Sequence, residues 1–236
     1  MDTQTRHALK HDRFVDSTNS ALDWVQENRS LVIRYSVVAV VVIAIIVAAA
    51  VTYTTRQQHA QAALNKALNV YTAPLTQPGE PADLQQGSYP TAAARAKAAH
   101  PLFEKAADNY GWLYAGQDAR YFAGLTDLQM SDNTAAEKEL KQAADARDKN
   151  VAALAKMALA SLYIQTNRGS QAVELYKDVA KHPSATVPAS SAQLALAQYY
   201  ENTDPDQAKQ ILAKVQDQNK ANFAGQIAQR ELAKLQ

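Results

Sequence analysis

The residues best suited to chemistry in this 236-residue chain are five histidines, and cysteine is absent. His7 and His11 lie four apart, the spacing that sets two zinc ligands on one helical face, and Asp12 follows them. A zinc protease built on such a pair needs a glutamate directly after the first histidine to act as base, and that position is Ala8. His59, His100 and His182 are scattered with no carboxylate at a catalytic spacing, so they are expected as surface or packing residues. Without Cys there is no thiolate nucleophile, no Cys-ligated zinc and no disulfide, while either redox compartment is tolerated. No Gly-rich phosphate loop or nucleophile elbow occurs. The chain is therefore expected to hold no catalytic residue, no metal site and no cofactor, and its work to be done by surfaces.

Composition says what those surfaces are built on. Alanine is very frequent, the chain has only 7 Gly and 8 Pro, and the β-branched residues gather mainly in one block, so local propensity favours helix almost everywhere else. An all-α protein is expected. The formal net charge is +1, with both signs mixed along the sequence, which argues against nucleic acid as a principal partner.

The β-branched block is Tyr35 to Tyr53, YSVVAVVVIAIIVAAAVTY, nineteen residues without a charge, Gly or Pro. As a helix it reaches about 28 Å, close to the roughly 30 Å of a bilayer's hydrocarbon core. No polar residue recurs at helical spacing, as a soluble core helix requires. Tyr35 and Tyr53 suit the interfaces, and Arg34 and Arg56 can reach the headgroups. Ala48, Ala49 and Ala50 are small enough for a signal-peptide cleavage site, but 34 residues precede the run, more than the short leading segment of a signal peptide. A retained single-pass anchor is expected. Arg6, Lys10, Arg13, Arg29 and Arg34 precede it, against Arg56 and Lys66 after it, so the tail 1–34 should be cytoplasmic. Within the tail, FVDSTNSALDWVQENR at 14–29 reads as a short amphipathic helix.

Residues 54–236 are expected to form a helical-repeat domain. A helix over 56–73 leads into a loop at 74–90 that holds four Pro and two Gly, and a second helix over 91–109 contains Pro101. Comparing the chain with itself at an offset of 36 residues then aligns three helical hairpins, 117–152, 153–188 and 189–224. Ala136, Ala172 and Ala208 coincide, as do Leu140, Tyr176 and Leu212, and Ala143, Val179 and Val215. Asn133, Gly169 and Pro205 mark the turns in phase, each followed by a capping-type residue. In the first helices Gly124 aligns with Ala160 and, as an exception, Leu196; Tyr163 aligns with Tyr199 and with Asp127. Small residues let paired helices approach and the larger ones fill the space between hairpins. An amphipathic helix over 221–235 could cap the end.

This pattern resembles the tetratricopeptide repeat, most fully in Ala160, Tyr163, Ala172 and Tyr176, with departures at Asp127 and Leu196 and a period two residues longer than the usual 34. The resemblance implies an α-solenoid of stacked hairpins. The whole layout is similar to the ancillary subunit family of the bacterial SecYEG translocon, through the tail residues Phe14, Val15, Asp16, Trp24, Val25, Glu27, Asn28 and Arg29 together with the span and the repeats. That likeness implies a bacterial inner-membrane protein whose periplasmic domain associates with the translocon and a membrane-anchored chaperone.

In such arrays the first helices line an inner surface where peptides lie. The register above puts there Tyr121, Leu125 and Gln129, then Met157, Ser161 and Gln165, then Gln193, Ala197 and Tyr200. With no charge among them, this groove suits an uncharged or apolar protein segment. The expected function is a non-catalytic protein-interaction adaptor of the cell envelope; the alternative is a self-associating structural subunit.

Overall fold

The computed structural model describes residues 24–76 and 87–235. His7 and His11, most of the tail's expected amphipathic helix, and the centre of the Pro-rich loop lie outside the described residues. The chain divides into two compact units, Met1–Thr55 and Arg56–Gln236.

In the first unit a helical turn at 24–27 precedes α1, Arg29–Tyr71, which continues into the second unit. Up to Thr55 its apolar side chains point outward all round: Val40 is 65% exposed and Ile46 61%. A helix apolar on every face has no preferred side for a protein core, and this one is long and apolar enough to cross a membrane. Where the run ends, Thr52 donates its hydroxyl to the Ala48 carbonyl, and Thr54 and Thr55 donate theirs to Val51. Those hydroxyls are thereby satisfied within the helix itself.

In the second unit the rest of α1 is followed by α2 (Ala92–Tyr110), α3 (Tyr114–Gln129), α4 (Asn133–Ala144), α5 (Lys149–Gln165), α6 (Gly169–Lys181), α7 (Ala189–Thr203), α8 (Pro205–Gln218) and α9 (Phe223–Lys234). No strand is present among the described residues; an isolated bridge between Leu75 and Tyr89 pins the base of the Pro-rich loop. Side-chain oxygens of Thr91, Asp132, Asp148, Asp204 and Asn222 accept from backbone N–H groups at the starts of α2, α4, α5, α8 and α9, satisfying donors the helices leave open. Helix α2 carries Pro101 without interruption. From α2 onward each helix packs on its sequence neighbours, so the chain builds the tetratricopeptide-like stack of hairpins.

The segment before the clearest repeats joins the stack. Ala60, Leu64 and Ala67 of α1 are buried with Ala99, Phe103 and Ala106 of α2 and Ala119 and Ala123 of α3. The next hairpin closes through Gly124, where a Cβ would lie 2.7 Å from Leu140 Cγ. Ala160 and Tyr176 share a core in the hairpin after that.

The third repeat departs from the expected register. Leu196 belongs to the preceding core, and Ala197 packs with Leu212, Val215 and Ala228. Ala197, not Leu196, is thus the small residue of α7. The first two hairpins turn through three residues, with Ser131 (φ 63°) and Asn167 (φ 59°) left-handed, whereas Asp204 alone joins α7 to α8. The short turn moves α7 one residue relative to the second helix. The starts Asn133, Gly169 and Pro205 stay in phase at 36 residues, which is why the offset comparison concealed the shift.

Candidate functional site

The shift decides which side chains continue the inner line. Tyr121, Leu125 and Gln129 are in phase with Met157, Ser161 and Gln165, and on α7 the in-phase residues are Leu194, Gln198 and Asn202. Gln198 and Asn202 are exposed, as Ser161 and Gln165 are. Of the residues expected there, Ala197 is fully buried, and Gln193 and Tyr200 are displaced from the line and half-buried.

Between α5, α6 and α7 the line opens into a cleft of about 610 Å³. Ile164, Ala195 and the rings of Tyr176 and Tyr199 supply apolar surface; Ser161, Asn167, Gln198, Asn202 and Thr203 supply hydroxyls and amides, and no charged side chain lines it. Ser161 Oγ lies 3.4 Å from the Tyr176 hydroxyl. The Tyr199 ring lies over Gly169, where any Cβ would run into its hydroxyl end. Amides can donate and accept at once, so such walls match the backbone of an extended chain. With no ionisable acid or base in the lining except tyrosine, the cleft is suited to binding and not to proton transfer.

The same line is closed at α3. Gln129 Nε2 donates to the Tyr71 hydroxyl at 2.7 Å, and Tyr71 packs edge-on against Phe103 at 5.8 Å and Phe122 at 5.6 Å. Arg95 lies 5.8 Å from the Tyr71 ring and donates to the Ala73 carbonyl at 2.8 Å. Burial, with Tyr71 beside it, raises the pKa of the Tyr121 hydroxyl.

Beneath this closed end is a polar cluster that the sequence did not disclose. His100 Nδ1 lies 3.2 Å from Asp127 Oδ1 and 3.0 Å from Thr126 Oγ1, and Nε2 lies 3.3 Å from Glu104. His100, expected as a surface or packing residue with no carboxylate at a catalytic spacing, meets Glu104 one turn on in its own helix and Asp127 from the next helix. His182 likewise meets Asp178 at 3.0 Å, and Lys156 reaches the same carboxylate at 2.6 Å, whereas His59 is exposed. Asp127 is 2% exposed and its Oδ2 has no partner. Burial pushes its pKa to about 6, reinforced by Asp132, Glu139 and Glu104 and opposed by His100. Glu104, His100 and Thr126 fall in the order of a catalytic triad, yet the Thr126 side chain is fully buried and its hydroxyl donates to the Ala123 carbonyl at 2.6 Å. No substrate reaches it.

One exposed-to-half-buried ion cluster joins neighbouring hairpins: Glu137 accepts from Arg168 and Lys141, both at 2.7 Å, and Arg168 lies 4.4 Å over the Tyr163 ring. The Arg168 hydrogen bond, then that of Lys141, pulls the Glu137 pKa to about 2. No group of three His, Asp or Glu able to hold a metal occurs among the described residues.

Asn167, Tyr176, Gln198, Tyr199 and Asn202 were missing from the expected groove. Asp204-Pro205 gave no sign of the shift: proline suits the first turn of a helix and aspartate caps it, but the pair is in phase with Asp132-Asn133.

No protein-family model matches the chain, and no curated protein matches it. Among solved structures, nearly identical TPR-like repeats from a Podosopora anserina protein described as a kinesin light chain are similar over 60% of this chain and 77% of that one, at 17% identity and a TM-score of 0.49. The repeat character of the present chain rests on its own hairpins, the recurrent small contacts at Gly124, Ala160 and Ala197 and the large residues that answer them.

Proposed function

We propose that this protein is a membrane-anchored, non-catalytic adaptor that holds an extended, uncharged protein segment in the cleft between α5, α6 and α7. The observation that carries this reading is the cleft itself: apolar rings, with hydroxyls and amides around them and no charge in the lining. The proposed layout is a cytoplasmic tail 1–34, a span at 35–53 and a repeat domain from 54 onward, supported by the outward-facing apolar run and the excess of basic residues before it. The tail's likeness to the ancillary translocon subunits supports the bacterial inner membrane as location and the translocon with a membrane-anchored chaperone as partners. Assistance to protein translocation, folding or assembly follows from that placement.

A photo-crosslinking residue in place of Gln198, in the full chain within its native membrane, tests the reading. Adducts with translocon subunits or a chaperone, absent when the same probe replaces the exposed Lys177 of α6, are the expected result. Adducts with further copies of this chain alone would replace the adaptor by the self-associating subunit.

A further inference from the structure

The contact of Lys156 and His182 with Asp178 borders a hollow of about 350 Å³ that the cleft does not use. Lys149 and Lys156 enter it from α5, two helical turns apart, and Asp178 and His182 enter it from the end of α6. Lys149, Ala152 and Lys156 share one face of α5, and Ser161 of the cleft is turned about 140° from Lys156. A segment seated in the cleft therefore leaves this hollow open.

The floor is apolar and backed by core. It consists of Ala152, Ala153 and Val179, of which the last two are buried with Val187 and Ala192. The rim is tied down, because Thr186 donates its hydroxyl to the Asn150 carbonyl at 3.3 Å and the Val187 N–H donates to Ser184 Oγ at 3.1 Å. These bonds hold the loop after α6 against the start of α5, so the hollow is pre-formed.

Its charge is unbalanced. Asp178 accepts from Lys156 at 2.6 Å and meets His182 Nδ1 at 3.0 Å, and the Lys156 hydrogen bond, then that of His182, holds its carboxyl below the usual range. One carboxylate thus answers two basic side chains. Lys149 is exposed and has no ion pair among the described residues. The carboxylate beside it in sequence, Asp148, is turned to the backbone of α5, where it accepts from the Asn150 N–H at 2.8 Å. Exposed Lys181, just before His182, adds a further cation at the end of α6.

We infer that this hollow is a second docking site, taking a segment of a partner protein that presents an acidic side chain beside an aliphatic one. The aliphatic group covers Ala152, Ala153 and Val179, and the carboxylate meets the ammonium groups of Lys149 and Lys156. No arginine lines the hollow, so the planar two-pronged grip that favours phosphate is absent. The site stands apart from the membrane anchor and from the cleft.

The probe is the peptide acetyl-Ser-Leu-Glu-Leu-Ser with a rhodamine at its carboxyl end, and a counterpart with Gln for Glu. Each is titrated into the full chain in mild detergent and followed by anisotropy. The Glu peptide is expected to bind about fivefold more tightly than the Gln peptide, with the preference shrinking as salt rises. Lys149→Glu, at an exposed position, is expected to remove the preference without moving the melting temperature or the crosslinking from Gln198. Ala152→Trp, which fills the floor, is expected to block both peptides. No binding of the Glu peptide, equal binding of the two, or an unchanged preference in K149E overturns the site. Displacement of the Glu peptide by inorganic phosphate as readily as by its unlabelled form would overturn the protein partner in favour of a general anion site.

Discussion

The inner line of the stack is closed at one end and open at the other, although the same helical period builds both. At α3 the aromatic side chains Tyr71, Phe103 and Phe122 cover it, and Gln129 is committed to Tyr71. At α7 a tyrosine lies over a glycine, and amides face a cleft. Closure also comes with a buried carboxylate, Asp127, where the repeat pattern expects a large side chain, while α5 carries Tyr163 at that position and the neighbouring charges stay near the surface. Repetition supplies the scaffold; the individual side chains decide where it is available to a ligand.

Removing the closure should have the largest effect. Phe103→Ala empties a fully buried aromatic site and should cost about 3–5 kcal/mol, read as a lower urea midpoint together with new reactivity of Tyr71 toward an aqueous probe. Unchanged Tyr71 reactivity would mean that Phe103 does not hold the cover. Next come the two glycines at helix contacts. Gly124→Ala puts a Cβ against Leu140, within 3.3 Å of its backbone nitrogen, and should cost about 1–3 kcal/mol by overpacking. Gly169→Ala meets only the far end of Tyr199; stability should fall by less than about 1 kcal/mol, while crosslinking from Gln198 changes because the ring must move. Equal losses at the two glycines would erase the distinction between the ends.

The ends should also titrate in opposite directions. Asp127 has a pKa raised from 3.8 to about 6, so the folded state binds its proton more tightly than the unfolded one. Its contribution is complete below about pH 4 and is lost as pH rises through about 6. Asp127→Asn should flatten the fall in melting temperature across that window. Glu137 has a pKa lowered from 4.5 to about 2, so its contribution is present above about pH 4.5 and is lost as pH falls toward 2. Glu137→Gln should therefore act only above the acid range, and by no more than about 1 kcal/mol, since the half-buried pair is still screened by solvent. This is the smallest expected effect.

Much of the fold was legible because helix period, caps and small residues act locally. The apolar run at Tyr35–Tyr53, the hairpin turns at Asn133 and Gly169, and the small positions Gly124 and Ala160 could all be read from spacing. The α7 side of the site could not be read by offset, since an in-phase Pro205 concealed a shorter turn. His100 and Asp127 were opaque for another reason: their meeting depends on packing between two different helices, and no periodicity within either helix announces it.

The single-residue turn at Asp204 also sets limits on exchange. The hairpins of α3–α4 and α5–α6 share a three-residue turn with a left-handed residue, Ser131 or Asn167, so each is a possible cassette for the other. Held to the register of the other two hairpins, α7 would shift by one residue, a rotation of about 100°, which puts Ala197 and not Gln198 on the line. The shorter turn makes this hairpin a part with its own keying, one that a duplication copying a fixed length of sequence could not supply without later editing.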